Sequence, residues 1–338
     1  MTINPIGDNA RAYALQNATN RLKSTLDALS SELNSGKVAD ITQRVRGNLQ
    51  PLNHIENRMS LLQQFKLNSA EASGQVDAMQ AVLGDVHSKV EKMGVTLMAV
   101  TVSESPHIVS AYAQESSQAF QSVISQLNTT VAGVAIFSGV DTDRLPLASA
   151  DSILAELETI VSGATTADEA SVLLDDWFSA PAGDGGFLDF AYSGSQGGMR
   201  QVQLSERDKA AVEIDASHPV LRDTMKLMAM GALVDRGFLS DSPVEQKEIL
   251  RLSGMGLFKN TPDVIGLRSN LGLTQQQIES VSAQNASALA SYEIARNEMV
   301  SADPFATSTA LMEVQTQLET LYTLTSRLSN LKLVDYLR

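Results

Sequence analysis

The sequence predicts a mainly α-helical protein with long, coiled-coil-like arms from both termini and a small inserted α+β domain. Three observations carry this. The stretch Phe305 to Arg338 repeats apolar residues every three or four positions with no Gly or Pro to interrupt it. The stretch Val76 to Val100 keeps the same apolar spacing without a miss, although Gly84 and Gly94 weaken it locally. Between them, from Ala135 to Gly272, the texture changes to short runs broken by most of the chain's 21 Gly residues.

The carboxy-terminal arm sets the pattern. Leu311, Val314, Leu318, Leu321, Leu324, Leu328 and Leu331 fall on one stripe of a helix, with Gln315, Gln317, Glu319, Thr320 and Arg327 on the other faces. Asp303 suits the N-cap and Pro304 the first helical position, where a missing N–H costs nothing. Seven apolar side chains at roughly 1.5–3 kcal/mol each, if fully buried, require a partner surface worth about 10 kcal/mol or more.

The amino-terminal arm is built alike. Residues 1–9, broken by Pro5 and Gly7, carry little helical signal. From Ala10, Leu15, Ala18, Leu22, Leu26, Leu29 and Leu33 form a stripe that ends at Asn34-Ser35-Gly36, with Gly36 fitted to a left-handed C-terminal position. A connecting stretch, Lys37 to Pro51, follows. The next helix carries Val76, Met79, Leu83, Val86, Val90, Met93, Leu97 and Val100, a seam about 37 Å long. Leu52, Ile55, Met59 and Leu62 extend it backwards. Pro106 ends it, and a further helix runs from about Ile108 to Val131.

In the middle region, IFSGVDTDRLPL reads as a short strand and turn. Ile153 to Val161 reads as a helix, and Thr166-x-x-Glu169 is a capping box opening another through Trp177. RQVQL and AVEID flank the polar ERDK as a β-hairpin. Leu221, Met225, Met228 and Ala232 mark a helix, and Ser242-Pro243-x-Glu245 caps one more. Thr274-x-x-Gln277 reads as the start of the returning helix, whose seam is Ile278, Val281, Asn285, Ala288, Tyr292, Ala295 and Met299; Asn285 is a polar register-setting position. The expected divisions are therefore an amino-terminal arm at 1–36, ascending helices at 37–140, an inserted α+β domain at 141–266, a returning helix at 267–302 and a carboxy-terminal arm at 303–338.

Composition narrows the function. At 43% hydrophobic and 19% charged, the 338-residue chain is ordinary for a folded protein, and its 5% aromatics suit helical seams more than compact cores. A net charge of −14 argues against nucleic acid, and Lys37, Arg44 and Arg46 read as a solvated loop. With no Cys, disulfides and thiolate chemistry are excluded. No run of eighteen apolar residues suggests a membrane span, and the first residues lack the pattern of a cleaved signal peptide.

No constellation points to catalysis, a cofactor or a metal. His54, His87, His107 and His218 lie far apart, Asp141-Thr142-Asp143 reads as a turn, and Asp175-Asp176 as a solvated edge. Gly254-Met255-Gly256 lacks the rest of a dinucleotide loop. The expectation is a non-enzymatic protein, with its function in the apolar stripes.

Several stretches resemble the flagellin superfamily, on the side of its hook–filament junction members. They are LSSELNSGKVAD after the first helix, QLNTTVAGVAIFSGVDTDRLPL where the ascending helices end, RSNLGLTQQQIES, YEIARNEMVSADPFATSTALMEVQTQLETLY, and the closing LSNLKLVDYLR. Ala39-Asp40-Ile41 departs from the Asp-Asp-Pro common after the first turn. The resemblance implies a flagellin-like fold whose terminal helices pair in an inner coiled coil and polymerise. It further implies export without a cleaved signal peptide, through the flagellar type III route, to an extracellular place in the bacterial flagellum. The partners it implies are hook-associated protein 1, flagellin, copies of the chain in a ring, and a cytoplasmic export chaperone, with no nucleic acid and no membrane. A filament flagellin is the nearest alternative; a cytoplasmic helical adaptor or an enzyme with its site in the insert lies further off.

Overall fold

The computed structural model describes the backbone of residues 5–101, 104–196 and 200–336, and side chains from residue 10 to residue 327 within those ranges. Ten helices and two short hairpins make up the described residues. In order they are α1 (Pro5–Ser35), α2 (Ile41–Arg44), α3 (Gln50–Met98), α4 (Pro106–Leu127), β1 (Thr130–Val131), β2 (Val134–Ala135), α5 (Ala150–Val161), α6 (Ala167–Ser179), α7 (Phe187–Phe190), β3 (Arg200–Gln203), β4 (Lys209–Val212), α8 (Pro219–Asp235), α9 (Pro243–Val300) and α10 (Pro304–Tyr336). The expected mainly helical, flagellin-like class is what the structure has. The chain divides into two compact units, one of residues 1–63 with 287–338 and one of residues 64–286.

In the second unit, the seam of α3 is the centre. Val76, Leu83, Val86, Val90 and Leu97 are fully buried. They belong to one hydrophobic core with Phe120 and Leu127 of α4, Leu154 and Leu157 of α5, Trp177 of α6, Leu221 and Met228 of α8, and Leu257 and Leu271 of α9. The region expected as an insert, 141–266, thus shares its core with the ascending helix. The reason is that α8 packs along α4. A side-chain carbon on Gly231 of α8 would collide with the Ser116 hydroxyl of α4, so the backbones meet at that point.

Two capping expectations need correction. The Thr274-x-x-Gln277 box does not start a helix: α9 is continuous from Pro243 to Val300 and passes through Pro262. One row of its buried positions, Leu250, Ser253, Leu257, Asn260, Val264, Leu267, Leu271, Ile278, Val281 and Asn285, keeps a spacing of three and four apart from the gap at 274. That face docks on α8 and the hairpin: Ser253 Oγ donates to Leu227 O at 2.6 Å and Asn260 Nδ2 to Thr224 Oγ1 at 2.9 Å. Tertiary packing outweighs the helix-breaking cost of Pro262. At the other start, Pro243 is the first residue of α9, but Glu245 does not reach back; its Oε2 accepts from Ala167 N at 2.8 Å, at the head of α6.

Other boundaries shift modestly. Helix α1 begins at Pro5, where little helix was expected, and Pro there suits a first helical position. Helix α4 stops at Leu127, short of Val131, because Asn128 leaves the helix and ties both ends of its amide to Leu147. The chain then turns through Ala132 and Gly133, both at positive φ, between β1 and β2. The expected hairpin β3–β4 forms, with Gln201 opposite Ala211 and Gln203 opposite Lys209, but its second strand is Lys209–Val212, two residues ahead of the AVEID run. The Thr166 box is present: Thr166 Oγ1 accepts from Glu169 N, while the Glu169 carboxylate accepts from Thr165 N at 2.8 Å. Asn285 does sit on a seam, but its Nδ2 donates to Leu204 O at 2.8 Å, so it holds the hairpin.

Candidate assembly surface

The first unit contains the two terminal helices, and they pack on each other. Their joint is set at one end by backbone. Gly36 closes α1 in the left-handed conformation, φ 67°, donating to Glu32 O at 2.8 Å. Past it, Val38 N donates to Val300 O at 2.9 Å and Ala302 N to Gly36 O at 3.0 Å, so the turn after α1 and the turn before α10 are stitched together. Glu32 Oε1 accepts from Ala39 N at 2.8 Å. Asp303 Oδ1 accepts from Phe305 N at 2.9 Å and Ala306 N at 3.2 Å, the N-cap that its position ahead of Pro304 suggested.

From this joint the stripes face each other incompletely. Val314 and Leu318 of α10 are buried. Leu311 and Leu321 beside them, and Leu15, Leu22, Leu26 and Leu29 of α1, are only half-buried. Leu33 and Leu324 stay exposed, at 43% and 49%. The side chains of Leu328 and Leu331 lie outside the described residues. A helix pair has one mutual seam and cannot cover a wide stripe on each member.

A second set of apolar residues was not part of the expected stripes. Tyr13, Phe305 at 82% exposure, Met312 and Tyr322 all stand in solvent. Phe305 and Met312 are seven residues apart, hence on one face of α10, roughly opposite Val314 and Leu318. That spacing was the available signal. Around them, Thr309, Thr316, Thr320 and Thr323 each turn the hydroxyl back to the carbonyl four residues earlier, at 2.9 Å, which leaves their methyl groups as the outer surface. One cation of α1 meets this surface: Lys23 Nζ lies 6.0 Å from the ring centre of Tyr322.

Among the described residues no group of three or more His, Asp or Glu could hold a metal ion, and no helix is long and apolar enough to cross a membrane. Asp175, expected as a solvated edge, pairs with Lys226, which also meets Asp223 at 3.1 Å.

Against known proteins, residues 260–337 match the family model of the bacterial flagellin C-terminal helical region, which covers the end of α9 and α10. No curated protein matches the chain. Among solved structures, one provisionally described as a flagellar hook-associated protein from Vibrio parahaemolyticus is similar with a TM-score of 0.50 and 15% identity, over 73% of this chain and 95% of that one. The structure of FlgL from Bacillus cereus has a TM-score of 0.49 and 13% identity, over 71% of this chain and 100% of that one. At such identity the Vibrio likeness speaks for the fold.

Proposed function

We propose that this protein is a structural subunit of the bacterial flagellum that polymerises through α1 and α10 and joins hook to filament, as hook-associated protein 3 does. One observation carries the reading: the paired terminal helices leave half-covered leucines on α1 and an exposed apolar face on α10, which further copies would cover. The match of α10 to a flagellin terminal region supports it. On this reading the subunits form a ring between hook-associated protein 1 and flagellin, outside the cell. Before export through the flagellar type III route, a cytoplasmic chaperone shields α10. The same match fits a filament flagellin, and location separates the two: antibody against the protein should mark a band at the junction on isolated flagella, whereas labelling along the filament favours flagellin.

The test of the surface uses Phe305→Asp with Met312→Asp. Both side chains are exposed, so the monomer should melt as the parent does, while cells relying on the variant should build no filament, since each buried carboxylate costs several kcal/mol without a counter-charge. Normal filaments from this variant would remove α10's outer face from the assembly surface.

A further inference from the structure

The β4 edge of the hairpin β3–β4 is open at Ala211, and the charges on either side of that residue form a pattern complementary to itself. Leu204 N donates to Asp208 O at 3.0 Å, so by antiparallel alternation Val202–Ala210 and Arg200–Val212 are the hydrogen-bonded pairs. The backbone groups of Gln203, Lys209 and Ala211 therefore point away from the ladder. On the β3 side Asn68 Nδ2 donates to Gln203 O at 3.0 Å, and on the β4 side Gln277 Nε2 donates to Lys209 O at 3.2 Å. Among the described residues, no backbone group takes the outward N–H or C=O of Ala211. Along this edge Lys209, Ala211 and Glu213 line a groove of about 440 Å³ with Leu267, Leu271 and Leu273 of α9, and Leu273 is 67% exposed.

We propose that this edge pairs two copies of the chain, antiparallel about a two-fold axis at Ala211, making a four-stranded sheet from two hairpins. The occupant is a second copy because the segment Lys209-Ala210-Ala211-Val212-Glu213, which is β4 and the residue after it, fits its own reverse. With Ala211 opposite Ala211, Lys209 stands opposite the partner's Glu213, and Glu213 opposite the partner's Lys209. Lys209 and Glu213 are both exposed, so each ammonium is free to meet the facing carboxylate. A parallel approach in the same register would set Lys209 against Lys209 and Glu213 against Glu213. Ala211 at the axis offers no bulk, and its free N–H and C=O are the two groups that a hydrogen-bonded antiparallel pair exchanges. The approaching strand would also cover Leu273. The interface is isologous, so it closes at two copies and needs neither α1 nor α10.

The absence of Cys makes the register directly readable. In such a pair the two Cα atoms at the axis stand about 5.5 Å apart, within disulfide reach. Full-length Ala211→Cys should therefore cross-link to a dimer under mild oxidation, while Gln201→Cys, on the β3 edge, should not. In the Ala211→Cys background, Lys209→Glu or Glu213→Lys alone should lower the dimer yield about tenfold, by placing like charges opposite each other twice. Mixing those two charge variants should restore it, because each interface then has two opposite pairs. Both positions are exposed, and circular dichroism will show the fold intact. The proposal is overturned if Ala211→Cys yields no dimer, or if Gln201→Cys cross-links as readily. Equal yields in all charge variants, as association through the terminal helices alone would give, also overturn it.

Discussion

Asn260 on α9 donates its side-chain amide to the hydroxyl of Thr224 on α8 at 2.9 Å, and both residues are buried. Thr224 in turn donates to Val220 O at 2.9 Å, which also receives Asn260 Nδ2 at 3.2 Å. The two helices thus share a small polar network, besides the bond from Ser253 Oγ to Leu227 O. Leaving a buried member unpaired costs about 1–3 kcal/mol, whereas removing both partners together can be nearly neutral. Asn260→Leu and Thr224→Val should therefore each destabilise by roughly that amount, and the double variant by clearly less than their sum. Urea unfolding of the four proteins checks this; strict additivity would mean that the contact contributes nothing.

Two glycines of α9 should answer alanine in opposite directions. A side-chain carbon on Gly254 would lie 2.5 Å from Met98 N and 2.6 Å from Leu97 C, and backbone cannot swing aside. Gly254→Ala should destabilise by about 1–3 kcal/mol or more, by forcing α9 off α3. Gly266 is exposed in the same helix with nothing within 4 Å of its would-be side chain. Gly266→Ala should raise stability by about 0.5–1 kcal/mol through helix propensity. Thermal melts of both variants decide it, and equal signs would contradict the packing.

The head of α8 is sensitive to acid. His218 is its N-cap, its Nδ1 accepting from Val220 N at 3.3 Å. Burial holds its pKa below the ordinary 6.5, against the pull of Asp215 and with the help of Arg222. On acidification the unfolded chain takes up this proton first. Stability from this residue is thus present above about pH 6.5 and is lost as pH falls through the lower folded value. His218→Asn keeps a capping oxygen without the titration. Its stability should fall less than the parent's between pH 7 and pH 5; parallel profiles would show that the cap is not linked to protonation.

What the sequence disclosed follows from where apolar residues are enough by themselves. The seam of α3 is apolar at every position from Val76 to Leu97, so it was legible; the hairpin was legible as an element, but the start of β4 was not, because Lys209-Ala210-Ala211 does not alternate. The unity of α9 was not, because its buried face uses Ser253, Asn260 and Asn285 and its run contains Pro262. Those polar residues keep the rhythm only through acceptors on distant elements, Leu227 O, Thr224 Oγ1 and Leu204 O. At the terminal helices the stripes were legible, but not how much of each stays uncovered. The stitch from Val38 to Val300 joins backbone to backbone and leaves no mark on side-chain choice.

That stitch fixes where the two arms begin to count. Helix α1 runs 31 residues back from it and α10 runs 33 residues forward, so they are nearly equal in length from a common origin. One residue added inside the last turn of α1, ahead of Gly36, with the stitch kept, would turn the rest of α1 by about 100° about its axis. Leu15, Leu22, Leu26 and Leu29 would leave α10 together, although none of them had been touched. Length in that last turn of the helix is therefore held more tightly than composition, and tolerance to substitution there need not mean tolerance to insertion.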